Sequence, residues 1–451
     1  MRIARQISLF LLVILPITIY FITKEDPAPE IKSKDVELST DAKRLLEMVE
    51  IKGESEAYLY LLGIMAAPED DPIEVGRKLL AEYRKEEQDS KYKVQEYPES
   101  KQIKIPKDGL YCDFTKKCRH SLFKQDYNID EIIAANKIII DRVKKFHSYD
   151  EFSIMTLPIV ETERFPDYRA VFAYGKIKRL KALDRVKKGK TEKAINQLMA
   201  DIEVYRRQII IQKDMVGKII YAILIKEDLD LISMILSSST EPVNIKKIRN
   251  LSEEKKSYSY IFARYFYSQF LIYKNWDGLD ENHIYGVDIM AGVIRDRGEK
   301  LLFLPNTAIN SAVDEYLSLI KLEKSTTREF ARAVAQDYDI IRSGTLSGRA
   351  LYKKILAVCN SKEFITNSHI ESCAVSKYLI PKPPNQYLSD IMDLDATISV
   401  FNQLYVEKKP ISEIKNPYYP DKFVYKKDGE IYFDGPFKDK RILRRLTIEK
   451  L

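Results

Sequence analysis

The sequence predicts a mostly α-helical chain. An N-terminal transmembrane helix is followed by an irregular array of helical hairpins, with a small β-hairpin near the C-terminus. Three observations carry this reading. Only 15 of 451 residues are glycine, fewer than a turn-rich β chain uses. Apolar residues recur at steps of three and four in segment after segment. One early run, residues 7–22, is apolar almost throughout.

That run predicts the anchor. Between Ile7 and Ile22, through Leu11 and Leu15, only Ser8, Thr18 and the Tyr20 hydroxyl are polar, and Pro16 lies in the middle. Its Ile, Leu, Val and Phe residues each favour insertion by about 0.3–0.6 kcal/mol, several kcal/mol together. As a helix it is about 24 Å long, slightly short of a hydrocarbon core of about 30 Å, a mismatch that thinning and snorkelling absorb. A cleaved secretory signal is the alternative, giving a secreted protein. It would need small residues at the cleavage site, whereas "IYFITKED" offers large or charged groups and Ala28 lies between two prolines. Arg2 and Arg5 precede the run, and Glu25, Asp26 and Glu30 outweigh Lys24 after it, so the N-terminus is expected to stay in the cytosol.

The remainder reads as a globular body, with 45% hydrophobic and 31% charged residues. We expect the anchor over 1–23, a proline-containing tether over 24–35, and a helical extracytoplasmic body over 36–410. Two lobes that split near 240–255 are compatible with that body, and a hairpin-containing segment over 411–451 completes the chain. The net charge of +7 is finely mixed. A solvated surface explains it, and attraction to an anionic membrane face or a cell-wall polymer is the sharper reading. No nucleic-acid partner is expected, because no recognition motif appears.

Helix signals follow in order. "STDAKRLLEMVE" opens on Ser39 or Thr40 as cap, and "ESEAYLYLLGIMAAP" reads as a helix that ends before Pro68. In "DDPIEVGRKLLAEYRKEE", Asp71 is placed to cap, Pro72 suits the first helical position and Glu74 has capping-box spacing. The stretch "QEYPESKQIKIPKDGLYCDFTKKC" reads as loop, and helix returns at "IDEIIAANKIIIDRVKKF". The strongest hairpin runs from "PDYRAVFAYGK" to "EVYRRQII", turning at Gly189, with Ile195, Leu198, Ile202, Tyr205 and Ile209 as one apolar stripe. "IIYAILI", between Lys218 and Lys226, is too short to span a membrane. Residues 258–276 form an aromatic helix, expected in the core. The alternative is a groove wall of Tyr258, Phe262, Tyr265 and Trp276 that receives a peptide or lipid chain. Later helices are expected at "NTAINSAVDEYLSLIKLE", "TTREFARAVAQDYDIIRS", "RALYKKILAVC" and "YLSDIMDLDATISVFNQLYVEKK". "FVYKKDGEIYF" carries a hairpin signal at Asp428-Gly429.

Four cysteines fall into two local pairs, Cys112 with Cys118 and Cys359 with Cys373. Outside the cytosol this pattern points to two disulfides, each worth up to about 2–3 kcal/mol. Neither spacing is a usual zinc motif, C-x-x-C is absent, and free buried thiols are the remaining reading.

Sequences that would carry chemistry are missing. There is no phosphate-binding loop, dinucleotide fingerprint, nucleophile elbow or H-E-x-x-H. "SGTLSG" at 343–348 reads as a helix–helix turn, the four histidines are scattered, and "WDGLDEN" falls short of a calcium loop. No catalytic, cofactor-binding or metal-ligating residue is singled out, and no cofactor is expected.

The runs "YLYLLGIMAAPEDDPIEVGRKLLAEYR", "LLFLPNTAIN" and "NPYYPDKFVYKKDGEIYFDG" resemble segments of uncharacterised single-pass inner-membrane proteins of proteobacteria. The resemblance implies a bacterial inner-membrane location with the body in the periplasm. It implies no activity and no site residues. The expected function is a membrane-anchored binding or scaffold module without catalytic activity, in contact with the bilayer through its first helix and with a protein or envelope partner. An anchored hydrolase acting on envelope material remains the enzymatic alternative.

Overall fold

The computed structural model describes residues 35–49, 51, 53–89, 91–105, 116–158, 164–240, 242–251, 258–274, 304–322, 325–333, 385–436 and 442–451. Over these residues the chain is mostly helical, with a three-stranded antiparallel sheet at its C-terminal end. Two compact units divide it. Among the described residues, one takes 35–49, 262–274 and 304–320, and the other takes the rest.

The smaller unit holds α1 (Thr40–Glu47) and, from farther along the sequence, a helix over Pro305–Lys321. Ser39 caps α1 by accepting from the Ala42 amide at 3.1 Å. The later helix begins with Pro305, which has no amide to orphan. Its next two amides, Asn306 and Thr307, donate to the Asp35 carboxylate at 2.8 and 3.1 Å. A residue 271 positions away thus supplies the N-terminal cap. Asn310 fixes the same segment by accepting from the Ser39 amide and donating to the Glu37 carbonyl. Phe266 meets Tyr316 edge-to-face at 5.3 Å inside this unit.

In the larger unit, α2 (Glu56–Leu62) and α3 (Pro72–Gln88) form the first pair. Asp71 caps α3 through the Ile73 amide at 2.7 Å, with Pro72 at the first position, as the sequence predicts. Glu74 does not close a capping box. Its carboxylate pairs with Arg77, which also holds Glu54 at 2.6 Å. The helix over residues 56–62 ends at Gly63, earlier than the expected stop before Pro68. There α3 crosses so closely that a Cβ on Gly63 would overlap the Pro72 carbonyl, and one on Gly76 the Leu59 carbonyl.

Next come α4 (Lys116–Lys124), α5 (Ile129–Ala135) and α6 (Lys137–Phe146). The first starts within the last three residues of the stretch that reads as loop and runs on to Lys124. The other two replace a single expected helix, broken at Asn136, whose side-chain amide donates to the Ile132 carbonyl at 2.8 Å.

The centre is built from α7 (Arg169–Lys187), α8 (Thr191–Ile211) and α9 (Met215–Ser238). The expected turn at Gly189 is a Schellman motif. Gly189 has φ +69, its amide reaches the Val186 carbonyl at 2.9 Å, and the Lys190 amide reaches Arg185 at 2.8 Å. The apolar stripe of α8 is buried throughout: Ile195, Leu198, Ile202, Tyr205 and Ile209. The short run at Ile219–Ile225 proves to be part of the 24-residue α9, which is buried around nearly its whole circumference. Lys218, Lys226, Asp228 and Asp230 interrupt that helix, and among the described residues no helix is long and apolar enough to cross a membrane.

The helix α10 (Tyr258–Lys274) starts in the larger unit and passes into the smaller one at Phe262. The Pro305–Lys321 helix is therefore α11, a short helix covers 327–333, and α12 (Asn385–Tyr405) returns to the larger unit. Beside α9 and α12 lies the sheet of β1 (Tyr425–Lys427), β2 (Glu430–Tyr432) and β3 (Arg445–Thr447). Asp428 and Gly429, at φ 49 and 74, make the tight turn that the hairpin signal predicts. The sequence predicts only the first two of these strands. The third strand pairs Leu446 with Ile431, and both side chains are fully buried.

Candidate functional site

The residues with the most perturbed chemistry lie on α7, α8 and α9. Arg179 is fully buried, on the face of α7 that meets α9. Its Nε donates to Asp228 Oδ1 at 2.7 Å, its Nη2 to the Leu224 carbonyl at 3.0 Å, and its Nη1 lies 2.7 Å from Glu227 Oε2. Burial pushes the Asp228 carboxyl up to about 8, against the downward pull of Arg179. Burial opposes the charge on the guanidinium, and the facing Glu227 and Asp228 together outweigh it. On the neighbouring helix, Asp201 pairs with Lys178 at 2.9 Å, and burial raises its carboxyl too.

Beside this cluster His147 follows the end of α6, enclosed by the rings of Tyr174, Tyr205 and Tyr221 at 5.7, 5.9 and 5.6 Å. Its Nε2 shares a hydrogen bond with the Tyr221 hydroxyl at 3.0 Å, and its carbonyl accepts from Arg207. Burial, then the positive charges of Arg207 and Lys178, press the imidazole pKa down to about 3. His147 is therefore a neutral core residue at physiological pH.

The sign of the pH effect follows. Unfolded His147 takes up a proton below its ordinary value of about 6.5, and the folded side chain does not until about 3. Its contribution to stability falls as pH drops through that window, by about 1.4 kcal/mol per pH unit. Urea unfolding from pH 7 to pH 4 should show a shallower decline for His147→Gln than for the parent chain. Equal slopes would place the imidazole in a wet environment.

A second buried cluster ties α9 to α4 and the sheet. Asp230 accepts from Lys226 at 2.6 Å, from the Thr447 amide at 3.0 Å and from Arg119 at 3.3 Å. Burial pulls the carboxyl up, but Lys226 and Arg119 outweigh it and hold Asp230 below the usual carboxylate range. A third joins α12 to the C-terminal segment, where Asp393 Oδ1 accepts from the Tyr418 hydroxyl at 2.7 Å and from Arg444 at 2.8 Å.

In each of these clusters the partners come from different elements, so their bonds tie those elements together, while Glu227 and Lys178 of the Arg179 cluster keep partial exposure. Among the described residues no group of three His, Cys, Asp or Glu side chains is placed to hold a metal. Sequence reasoning passed over all three clusters. The available signal was "KEDLDL" at 226–231, where Lys226, Glu227, Asp228 and Asp230 interrupt an apolar helix on more than one side and cannot all face water.

The residues expected to matter from sequence are placed as follows. Cys118 is buried on α4, and no free cysteine occurs among the described residues. Cys112, Cys359 and Cys373 lie outside those residues, as do Ile7, Leu11, Leu15 and Ile22 of the expected span, His283, His369, "SGTLSG" and "WDGLDEN". Tyr258 and Phe262 have no accessible surface, Tyr265 is half-buried, and Trp276 lies outside the described residues. His120 is unconnected to His147, its ring lying 2.8 Å from the Lys450 carbonyl. No family model matches this chain, and neither a curated protein nor a solved structure matches it.

Proposed function

We propose that this chain is a membrane-anchored binding or scaffold protein without catalytic activity. An N-terminal helix over 1–23 holds it in a bacterial inner membrane, and an array of helical hairpins stands in the periplasm. The observation that carries the non-catalytic part is the disposition of its perturbed groups. Arg179, Asp228, His147 and Asp230 are all buried and bonded across helix boundaries. Catalytic groups with shifted pKa values need contact with a substrate, whereas these groups fasten one helix to the next. Disulfides Cys112–Cys118 and Cys359–Cys373 belong to the same reading, since an oxidising compartment would sustain them.

Topology is the most direct test. A reporter that fluoresces only in the cytosol, fused after Leu451, should stay dark, and a periplasm-active phosphatase at the same place should be active. A fluorescent fusion would invert the topology and remove the compartment on which the disulfides depend. The binding part is tested by affinity capture of the detergent-solubilised chain, where one protein or envelope component should co-purify reproducibly and be lost on competition with untagged chain.

A further inference from the structure

The strongest surface feature is electrostatic. Over residues 176–193, which end α7, turn at Gly189 and begin α8, nine side chains are Lys or Arg and two are Asp or Glu. Part of that charge is neutralised. Arg179 points inward to Asp228, Lys178 pairs with Asp201, and Lys188 pairs with Asp184 at 2.8 Å. Two more cations hydrogen-bond neutral groups: Arg185 bonds Gln197 Oε1 at 2.7 Å, and Lys187 bonds the Gln125 carbonyl while Asp126 and Asp184 act on its charge. Lys181, Lys190 and Lys193, with Lys144 from α6, pair with no carboxylate among the described residues. Lys144, Lys190 and Lys193 are exposed and Lys181 is partly so. The crowding is felt on Lys181. Burial lowers its pKa first, then the charges of Arg185, Lys178 and Lys144, with Asp130 in opposition.

We propose that this face, made by the end of α6, the outer side of α7 and the α7–α8 turn, docks on a bilayer rich in anionic phospholipid. The partner follows from the chemistry of the patch. Its unpaired cations are lysines, compact point charges on flexible stems, which suit a fluid array of headgroups rather than a bidentate site. Single-stranded nucleic acid would want exposed aromatic platforms between the charges. Here Tyr174 is buried, and the ring of Tyr127 lies beneath Lys187 at 4.4 Å. The inference rests on the anchor proposed above in one respect, that the tether keeps the patch near a membrane and raises its effective concentration there.

The test uses the full chain in nanodiscs of phosphatidylcholine alone, or with about 30% phosphatidylglycerol, at about 50 mM salt. Amine acetylation read by mass spectrometry reports each lysine. In the anionic discs Lys144, Lys181, Lys190 and Lys193 should label about fivefold more slowly, and salt of about 1 M should restore their rates. Lys78 and Lys247, exposed elsewhere, should label alike in both discs. Equal labelling of the patch, with the protein retained in both discs, overturns the docking surface and leaves the anchor standing. Failure to enter the neutral discs overturns the anchor instead, and docking is then read by flotation with anionic vesicles. There the chain should float, and the variant Lys144→Gln, Lys181→Gln, Lys190→Gln, Lys193→Gln should bind at least about 100-fold more weakly. Protection of the four lysines by a single-stranded oligonucleotide, but not by anionic lipid, would assign the face to nucleic acid and overturn the proposal.

Discussion

Arg179→Met should lower the stability of the chain by about 3–5 kcal/mol. The side chain is fully buried, and its guanidinium serves Asp228, Glu227 and the Leu224 carbonyl at once. Methionine fills much the same volume but donates nothing, so a buried carboxyl and a carbonyl lose their donor together. Protonation of Asp228 limits the damage, because burial already holds its carboxyl at about 8. Glu227 is about one-fifth exposed and recovers part of its hydration. Arg179→Lys should be nearly as harmful, since one ammonium on a shorter reach cannot serve three acceptors spread along α9. The double variant Arg179→Met, Asp228→Leu separates pairing from packing. Removing both partners should return most of the lost stability, because a buried apolar pair costs no uncompensated charge. Urea unfolding at pH 7 followed by circular dichroism measures all three. A loss under about 1 kcal/mol for Arg179→Met would mean that water reaches the pair.

How much of this was legible depends on how local each signal is. The cap at Asp71, the Gly189 turn and the Asp428-Gly429 hairpin each depend on a few adjacent residues, and each appears where the sequence places it. The apolar stripe of α8 was legible because Ile195, Leu198, Ile202, Tyr205 and Ile209 recur at steps of three and four, although Asp201 and Arg206 are buried on the same helix. In α9 the same logic fails. Lys226, Asp228 and Asp230 look like a solvent face, yet Asp228 and Asp230 meet arginines delivered by other helices, and Lys226 pairs with Asp230 inside α9 itself. No local pattern states that Arg179 and Arg119 will be there. The Asp35 cap on α11 is hidden for the same reason, as donor and acceptor lie 271 residues apart. The third strand was missed because three residues, Arg445 to Thr447, carry too short an alternation to separate from the basic stretch before them. The His147 cage combines side chains from four segments, and the helical spacing that marks Tyr174 and Tyr205 as apolar positions says nothing of the imidazole they enclose.

Gly76→Ala should destabilise the chain by about 2–3 kcal/mol, against the direction that helix propensity dictates. Gly76 lies inside α3, and an alanine there would ordinarily stabilise a helix by about 1 kcal/mol. The added Cβ, however, would overlap the Leu59 carbonyl of α2, which is backbone and cannot rotate away. Relief requires the two helices to separate, and the connection between them is clamped from the other side. Arg142 of α6 donates to the carbonyls of Ile64, Ala66, Ala67 and Asp70, at 3.0, 2.6, 2.7 and 3.2 Å. Sliding α2 along α3 would break those bonds and leave a buried guanidinium without acceptors, so the strain cannot drain into the turn. Arg142→Ala should therefore destabilise on its own account. Combined with Gly76→Ala, it should cost less than the sum of the two, because the freed turn lets the helices part. Thermal unfolding of the two single variants and the double variant measures this coupling. A stabilised Gly76→Ala would show that α2 and α3 stand farther apart than their glycines imply, and strict additivity would show that Arg142 does not hold them together.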